Sequence, residues 1–199
     1  MLVTNVRNRS VVTYPWCYKH GVFTESELAQ IGNLCLSLNS EPGLVGKNKE
    51  RDTSIRSSDI SWVVRNEDTA WFWDRIALEI QLLNEQFYGY ELYGYDALQY
   101  STYESESSGK YKFHSDISFG QEAPDESALR KLSASLLLNN DFTGGEFQII
   151  TGDPEEPVMP EMRSGTLIVF PSFMIHGVKT VTSGVRKSLV AWCIGPKFR

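Results

Sequence analysis

Histidine is scarce in this chain, with three among 199 residues, at positions 20, 114 and 176. Cysteine is no commoner, and Cys17, Cys35 and Cys193 lie far apart with no CxxC spacing. The odd number and wide separation disfavour a disulfide framework and fit reduced thiols in an intracellular protein. No stretch approaches 18 consecutive apolar residues, so no membrane span is expected, and the N-terminus lacks the continuous apolar run of a secretory signal. Asn8-Arg9-Ser10 fits a glycosylation sequon, which reads as chance without such a signal ahead of it. Basic residues are also in deficit: 19 Lys and Arg against 25 Asp and Glu leave a net charge of -6. That argues against broad binding to a nucleic-acid backbone. The expectation is a cytoplasmic globular protein that engages neither nucleic acid nor membrane. Its length suits one domain with a sizeable core and is too short for two.

The N-terminal part reads as support. Residues 1 to 23 are expected to be extended, with Val11-Val12-Thr13-Tyr14 leading into Pro15. Thr24-Glu25-Ser26-Glu27 is a capping box. The helix after it carries Leu28, Ile31, Leu34, Cys35 and Leu38 on one face and should end near Asn39. Residues 40 to 58, with Lys47, Lys49, Arg51 and Arg56, read as a solvated loop or hairpin in preference to a mobile flap over a site. Ile60 to Val64 reads as a strand. A second helix is predicted over 67 to 87, with Phe72, Ile76, Ile80, Leu83 and Phe87 in phase and Glu67 and Asp68 in its first turn. Trp71-Phe72-Trp73 at this spacing reads as core, and Gly89 ends the helix.

From residue 90 the texture changes to short β runs, at 97–103, 110–114, 132–138, 146–150, 166–170, 175–181 and 186–194, punctuated by glycine turns. Evenly spaced strands of this kind predict a sandwich or jelly-roll barrel. Leu132, Ala134, Leu136 and Leu138 should pack under the helices, and Ser133, Ser135 and Leu137 should line the interior. Gly120–Lys131 and Thr151–Arg163 read as loops.

One strand end carries chemistry. In Tyr111-Lys112-Phe113-His114-Ser115-Asp116, the histidine and aspartate are two residues apart, so in a strand they point the same way. With His176 as a third donor, two imidazoles and one carboxylate can take one side of a metal ion, the facial triad of non-haem Fe(II) oxygenases. Zinc accepts the same three donors and is the nearest rival. His20 has no partner at metal spacing. Ten residues past His176, Arg186 opens a strand that puts Arg186, Ser188, Val190 and Trp192 on one face. A guanidinium fork with a hydroxyl beside it suits the far carboxylate of a dicarboxylic acid.

This order of residues resembles the 2-oxoglutarate- and Fe(II)-dependent dioxygenases, on their prolyl-4-hydroxylase-like branch. The likeness is closest over residues 98 to 195, including Gly144-Gly145-Glu146, Phe170-Pro171 before the distal histidine, and the Gly-x-Arg…Trp ending. It implies a fold that is mostly β with flanking helices: a double-stranded β-helix (jelly-roll) core over 91–199, braced by two N-terminal α-helices within 1–90. It implies Fe(II) held by His114, Asp116 and His176, and 2-oxoglutarate held by Arg186, Ser188 and Tyr103, with Tyr100 as the fallback for Tyr103. It further implies O2 as the second cosubstrate, ascorbate as an accessory reductant, and hydroxylation as the outcome. Arginine in place of the lysine of many prolyl hydroxylases leans away from the secreted collagen type. Asp116 disfavours halogenation, and Trp192 stands where nucleic-acid demethylases have a second arginine. The expected substrate is a peptidyl residue, proline first, with a free amino acid or other small molecule as the rival. Outside enzymes, the rival is a non-catalytic metal-binding jelly-roll protein.

Overall fold

A computed structural model describes residues 14–46, 50–117 and 129–197 of the chain. The run Val11-Val12-Thr13, the Asn8 sequon, Lys47 and Lys49, and residues 120–128 of the first expected loop lie outside the described residues.

In chain order the elements are β1 (Cys17–Lys19), α1 (Glu25–Leu36), β2 (Glu41–Pro42), β3 (Arg56–Ser57), β4 (Asp59–Trp62), α2 (Ala70–Phe87), β5 (Gly94–Glu104), β6 (Lys110–His114) and β7 (Leu129–Leu137). Then come β8 (Phe142–Gly144), β9 (Phe147–Ile149), β10 (Leu167–Pro171), β11 (His176–Val178) and β12 (Val181–Gly195).

Both helices obey local chemistry at their ends. The capping box of α1 forms as expected: Glu27 N–H donates to Thr24 Oγ1 at 3.3 Å, and Thr24 N–H donates to Glu27 Oε2 at 2.8 Å. The helix stops at Leu36, short of Asn39, because the Ser37 hydroxyl and amide both turn back to Leu34 O, at 2.7 and 3.3 Å. The start of α2 also differs from expectation. Asn66 Oδ1 accepts from the amides of Asp68 and Thr69, at 3.0 and 3.1 Å, and Thr69 Oγ1 accepts from Asn66 N–H at 2.9 Å. That closed turn keeps Glu67 and Asp68 out of the helix, which begins at Ala70 with no acidic residue in its first turn. Gly89, at φ 65°, ends it.

The strands form two antiparallel sheets. The larger runs β1-β10-β7-β12-β5-β4-β2, with β8 paired to β12, and the smaller runs β3-β6-β11-β9. Period-2 alternation sorts the large sheet's side chains between two faces. Leu132, Ala134 and Leu136 of β7, Leu167 and Val169 of β10, and Leu189, Ala191 and Cys193 of β12 pack with Leu28, Ile31, Phe72, Ile76 and Ile80 of the helices. The opposite face of β10, Ile168 and Phe170, meets Phe147 and Ile149 of the small sheet. This is a jelly-roll core with helices banked on one side.

Three expectations need correction. Residues 129–131, expected in a loop, belong to β7, because Leu129 and Arg130 pair with Gly195 and Ile194 of β12. The strand expected to open at Arg186 begins at Val181 and passes through Gly184 at φ 72°. A Cβ there would collide with Asp141 O, so the bend needs glycine. The segment 40–58 is no free loop: β2 pairs with β4, β3 pairs with β6, and Glu41, Leu44, Val45, Gly46 and Arg56 line the central cavity.

Ile80, fully buried between helix and sheet, tests this packing. Ile80→Ala is expected to lower unfolding free energy by about 2–5 kcal/mol, measured by urea denaturation.

Candidate functional site

A cavity of about 530 Å³ opens between the sheets. Its lining takes in His114, Asp116 and His176 together with Arg186, Ser188 and Tyr103. All six residues singled out in the sequence therefore face one space, although more than 80 residues separate Tyr103 from Arg186 along the chain.

The histidines meet because β6 and β11 are neighbours with His114 directly opposite His176. Asp116 follows on the turn after β6, its amide donating to Ser172 O at 3.0 Å. His114 Nε2 lies 3.6 Å from Asp116 Oδ1, and His176 Nε2 lies 3.6 Å from Asp116 Oδ2. The three donor atoms fall within 4.8 Å of one another, the clustering that a shared cation requires. Each ring is oriented by its own strand: His114 Nδ1 lies 2.9 Å from Lys112 O, and His176 Nδ1 lies 2.9 Å from Met174 O. A carbonyl oxygen only accepts, so both Nδ1 atoms carry the proton and both Nε2 lone pairs face the centre.

Charge at the site is set by burial and by neighbours. Burial pushes the Asp116 carboxyl upward, but His176, His114 and the Ser133 hydroxyl outweigh it and hold the group well below the usual carboxylate range. Burial pulls His176 down to about 4, against the opposing influence of Asp116. An ionised carboxylate beside a neutral imidazole is the state that binds a divalent cation. Tyr111 stacks on the His114 ring at 3.6 Å between centroids, and the Arg56 guanidinium covers Tyr111 at 4.6 Å.

Arg186 is only 2 % exposed. Its Nη1 donates to Ser188 Oγ at 3.0 Å, and its guanidinium lies 5.6 Å from the Tyr103 ring centroid. Among the described residues it makes no ion pair. A buried cation without a counter-charge is costly, and an anion entering the cavity at this end would offset that cost. A cation site and an anion site in one cavity fit Fe(II) and 2-oxoglutarate. Tyr100 faces the other way. Alternation on β5 sends it into the helix-side core, away from the cavity. His20 is no ligand, its Nδ1 lying 2.8 Å from Thr166 Oγ1.

Sequence reasoning gave no role to Ser133 and Ser172, which buttress Asp116, or to Arg56 and Tyr111, which cover His114. The alternation of β7 did place Ser133 on the inner face. Nothing local in the chain announces that Ser172, 56 residues beyond Asp116, is its neighbour.

The His176 shift carries a pH signature. Its folded value of about 4 lies below the ordinary 6.5, so between these limits the unfolded chain binds the extra proton. Stability of the metal-free protein is therefore fully present above that window and is lost as pH falls through it. Denaturant midpoints between pH 7 and pH 4 should show the decline, and His176→Gln should flatten it.

Residues 98–194 match the family model of the 2OG-Fe(II) oxygenase superfamily. A PKHD-type hydroxylase of Psychrobacter sp. (strain PRwf-1) is 37% identical over 86 residues, which cover 41% of this chain and 32% of that protein. A PKHD-type hydroxylase of Acaryochloris marina is 35% identical over 86 residues, covering 41% and 38%. The match thus spans about a third of the length of these curated relatives. Solved structures share the fold. A prolyl hydroxylase from Trichoplax adhaerens, in complex with a hypoxia inducible factor oxygen degradation domain peptide fragment, superposes with a TM-score of 0.72 at 19% identity, over 91% of this chain and 84% of that one. A Pseudomonas putida prolyl-4-hydroxylase gives 0.69 at 20% identity, over 94% and 95%. Fe(II), 2-oxoglutarate and O2 are the cofactor set that this family implies, and the triad is in place for it. Residues 98–194, the β-rich half of this chain, are therefore a 2OG-Fe(II) oxygenase superfamily segment, in a fold shared with solved prolyl hydroxylases.

Proposed function

We propose that this chain is an Fe(II)- and 2-oxoglutarate-dependent dioxygenase that hydroxylates a peptidyl residue, proline first. The observation that carries the reading is the shared cavity: a His-Asp-His cluster at one place and, at another, a buried arginine that has no counter-ion among the described residues. A non-catalytic metal-binding jelly-roll protein has no need of that arginine.

In this reading His114, Asp116 and His176 would hold Fe(II), with both Nε2 atoms and the carboxylate turned to one centre. The bound metal supplies the oxidative decarboxylation of 2-oxoglutarate coupled to hydroxylation of a C–H bond. The chain's own residues bind, orient and keep water out. Arg186 takes the far carboxylate in a two-pronged contact, the Ser188 hydroxyl sits beside it, and Tyr103 closes that end of the cavity. Phe147 and Phe170 line the wall by His176 with apolar surface. Trp62 and Trp192, 6.4 Å apart, line the opposite part of the cavity with Glu41 and Arg130, which offers apolar surface and both signs of charge to an extended peptide.

A peptide substrate is supported by the fold shared with the Trichoplax enzyme, whose structure holds a peptide. The cavity volume of about 530 Å³ also suits 2-oxoglutarate with a free amino acid or other small molecule, which is the second reading. We place the protein in the cytoplasm as one domain over 1–199, acting on neither nucleic acid nor membrane. All three cysteines are free and buried, and among the described residues no helix is long and apolar enough to cross a membrane.

Metal-stripped protein titrated with Mn(II), with and without 2-oxoglutarate, is expected to melt higher with both than with either. Arg186→Ala should retain the metal shift and weaken 2-oxoglutarate binding by about 2–5 kcal/mol. An unaltered 2-oxoglutarate response in that variant would move the carboxylate site elsewhere. His114→Ala or Asp116→Ala should abolish succinate formation in protein that remains folded by circular dichroism.

A further inference from the structure

Asp116 is held from behind as well as by its own turn. Its Oδ2 accepts a 2.6 Å hydrogen bond from the Ser133 hydroxyl. Its Oδ1, 3.6 Å from His114 Nε2, accepts none among the described residues. Ser133 Oγ also lies 3.0 Å from Ser172 Oγ. A serine has one hydroxyl proton. Ser133 is the donor in both contacts, and the shorter one, to the carboxylate, is the charge-assisted one. Both serines are 0 % exposed, so neither hydroxyl is turned to solvent.

Ser172 is itself anchored on three sides by its backbone. Its carbonyl accepts from Asp116 N–H at 3.0 Å and from the Ser115 hydroxyl at 3.2 Å, and its amide donates to Lys131 O at 3.0 Å. The serine that supports the carboxylate therefore also fixes the turn that carries it. Ser133 stands on β7 directly between Phe170 of β10 and Trp192 of β12, so its height in the cavity floor is set by two ladders.

We propose that the Ser133 hydroxyl, with Ser172 behind it, positions Asp116 by occupying Oδ2 and leaving Oδ1 free for the metal. The inference rests on the metal site of the preceding reading and adds to it a coordination mode and two positioning residues. A carboxylate can bind a cation through one oxygen or through both. Gripping with both would fill one of the positions that the cosubstrates need. A short bond from a neutral hydroxyl to an ionised carboxylate is strong enough to hold one orientation, and oriented ligands bind metal more tightly.

The test compares unsubstituted protein with Ser133→Ala, Ser133→Thr and Ser172→Ala, each stripped of metal, checked for fold by circular dichroism and titrated with Mn(II). Ser133→Ala is expected to weaken Mn(II) binding by about 10–100-fold. Ser133→Thr keeps the hydroxyl and should restore most of the loss, and Ser172→Ala should fall between. Crystal structures of the Mn(II)-loaded forms should show Asp116 bound through Oδ1 in the unsubstituted protein and through both oxygens in Ser133→Ala. Equal Mn(II) affinity in Ser133→Ala, or metal on Oδ2 in the unsubstituted protein, overturns this positioning role and leaves the metal site standing. No Mn(II) binding by the unsubstituted protein overturns both. Should Ser133→Ala not fold, Ser172→Ala and the unsubstituted Mn(II) structure decide between these outcomes.

Discussion

A buried arginine with no carboxylate to meet it among the described residues is the constraint on which the rest of this structure depends. Among those residues Arg186 meets a serine hydroxyl and the face of a tyrosine. The β12 ladder fixes its place, with Tyr103 of β5 opposite it and the β7 pairing beginning two residues on at Ser188. The same cavity carries the opposite charge at the triad, where the histidines and the Ser133 hydroxyl keep a buried carboxylate ionised. Each end is incomplete in a way that a particular ligand would complete. The fold's task is to keep the two incomplete ends in one space without letting them neutralise each other.

The pleat does this. On β7, β10 and β12 the residues facing the helices are apolar and pack as one cluster, while those facing inward are serine, arginine, tryptophan and phenylalanine. Stability and chemistry thus occupy opposite faces of the same strands. A substitution under the helices acts on unfolding, and a substitution one residue along acts on the cavity. The small sheet closes the cavity and delivers both histidines from adjacent strands.

Much of this was legible along the chain because it is local or periodic. Alternation predicted which side of β7 is polar, and the i, i+2 spacing of His114 and Asp116 predicted their common direction. The Thr24–Glu27 cap and the apolar stripe of α2 were equally plain. The errors arose where a side chain competes with the backbone or where a distant strand recruits a segment. Ser37 cut α1 short by taking Leu34 O, and Asn66 with Thr69 held Glu67 and Asp68 out of α2. Segment 40–58 looked solvated by composition, but β4 and β6 enlist it as cavity wall. Ser172 was invisible for a different reason. A serine after proline reads as a turn, and only the folded chain brings it behind Asp116.

The hydrogen bonds that orient His114 and His176 reach back two residues, to Lys112 O and Met174 O. The choice of nitrogen is therefore made within each strand, before the strands meet and without any ion. A pocket shaped in advance in this way has little means of rejecting the wrong visitor, since manganese, cobalt, nickel and zinc all accept imidazole and carboxylate, and intrinsic affinity rises from manganese through cobalt to nickel. Which ion would occupy such a pocket then depends on metal availability as well as on the ligands the chain provides.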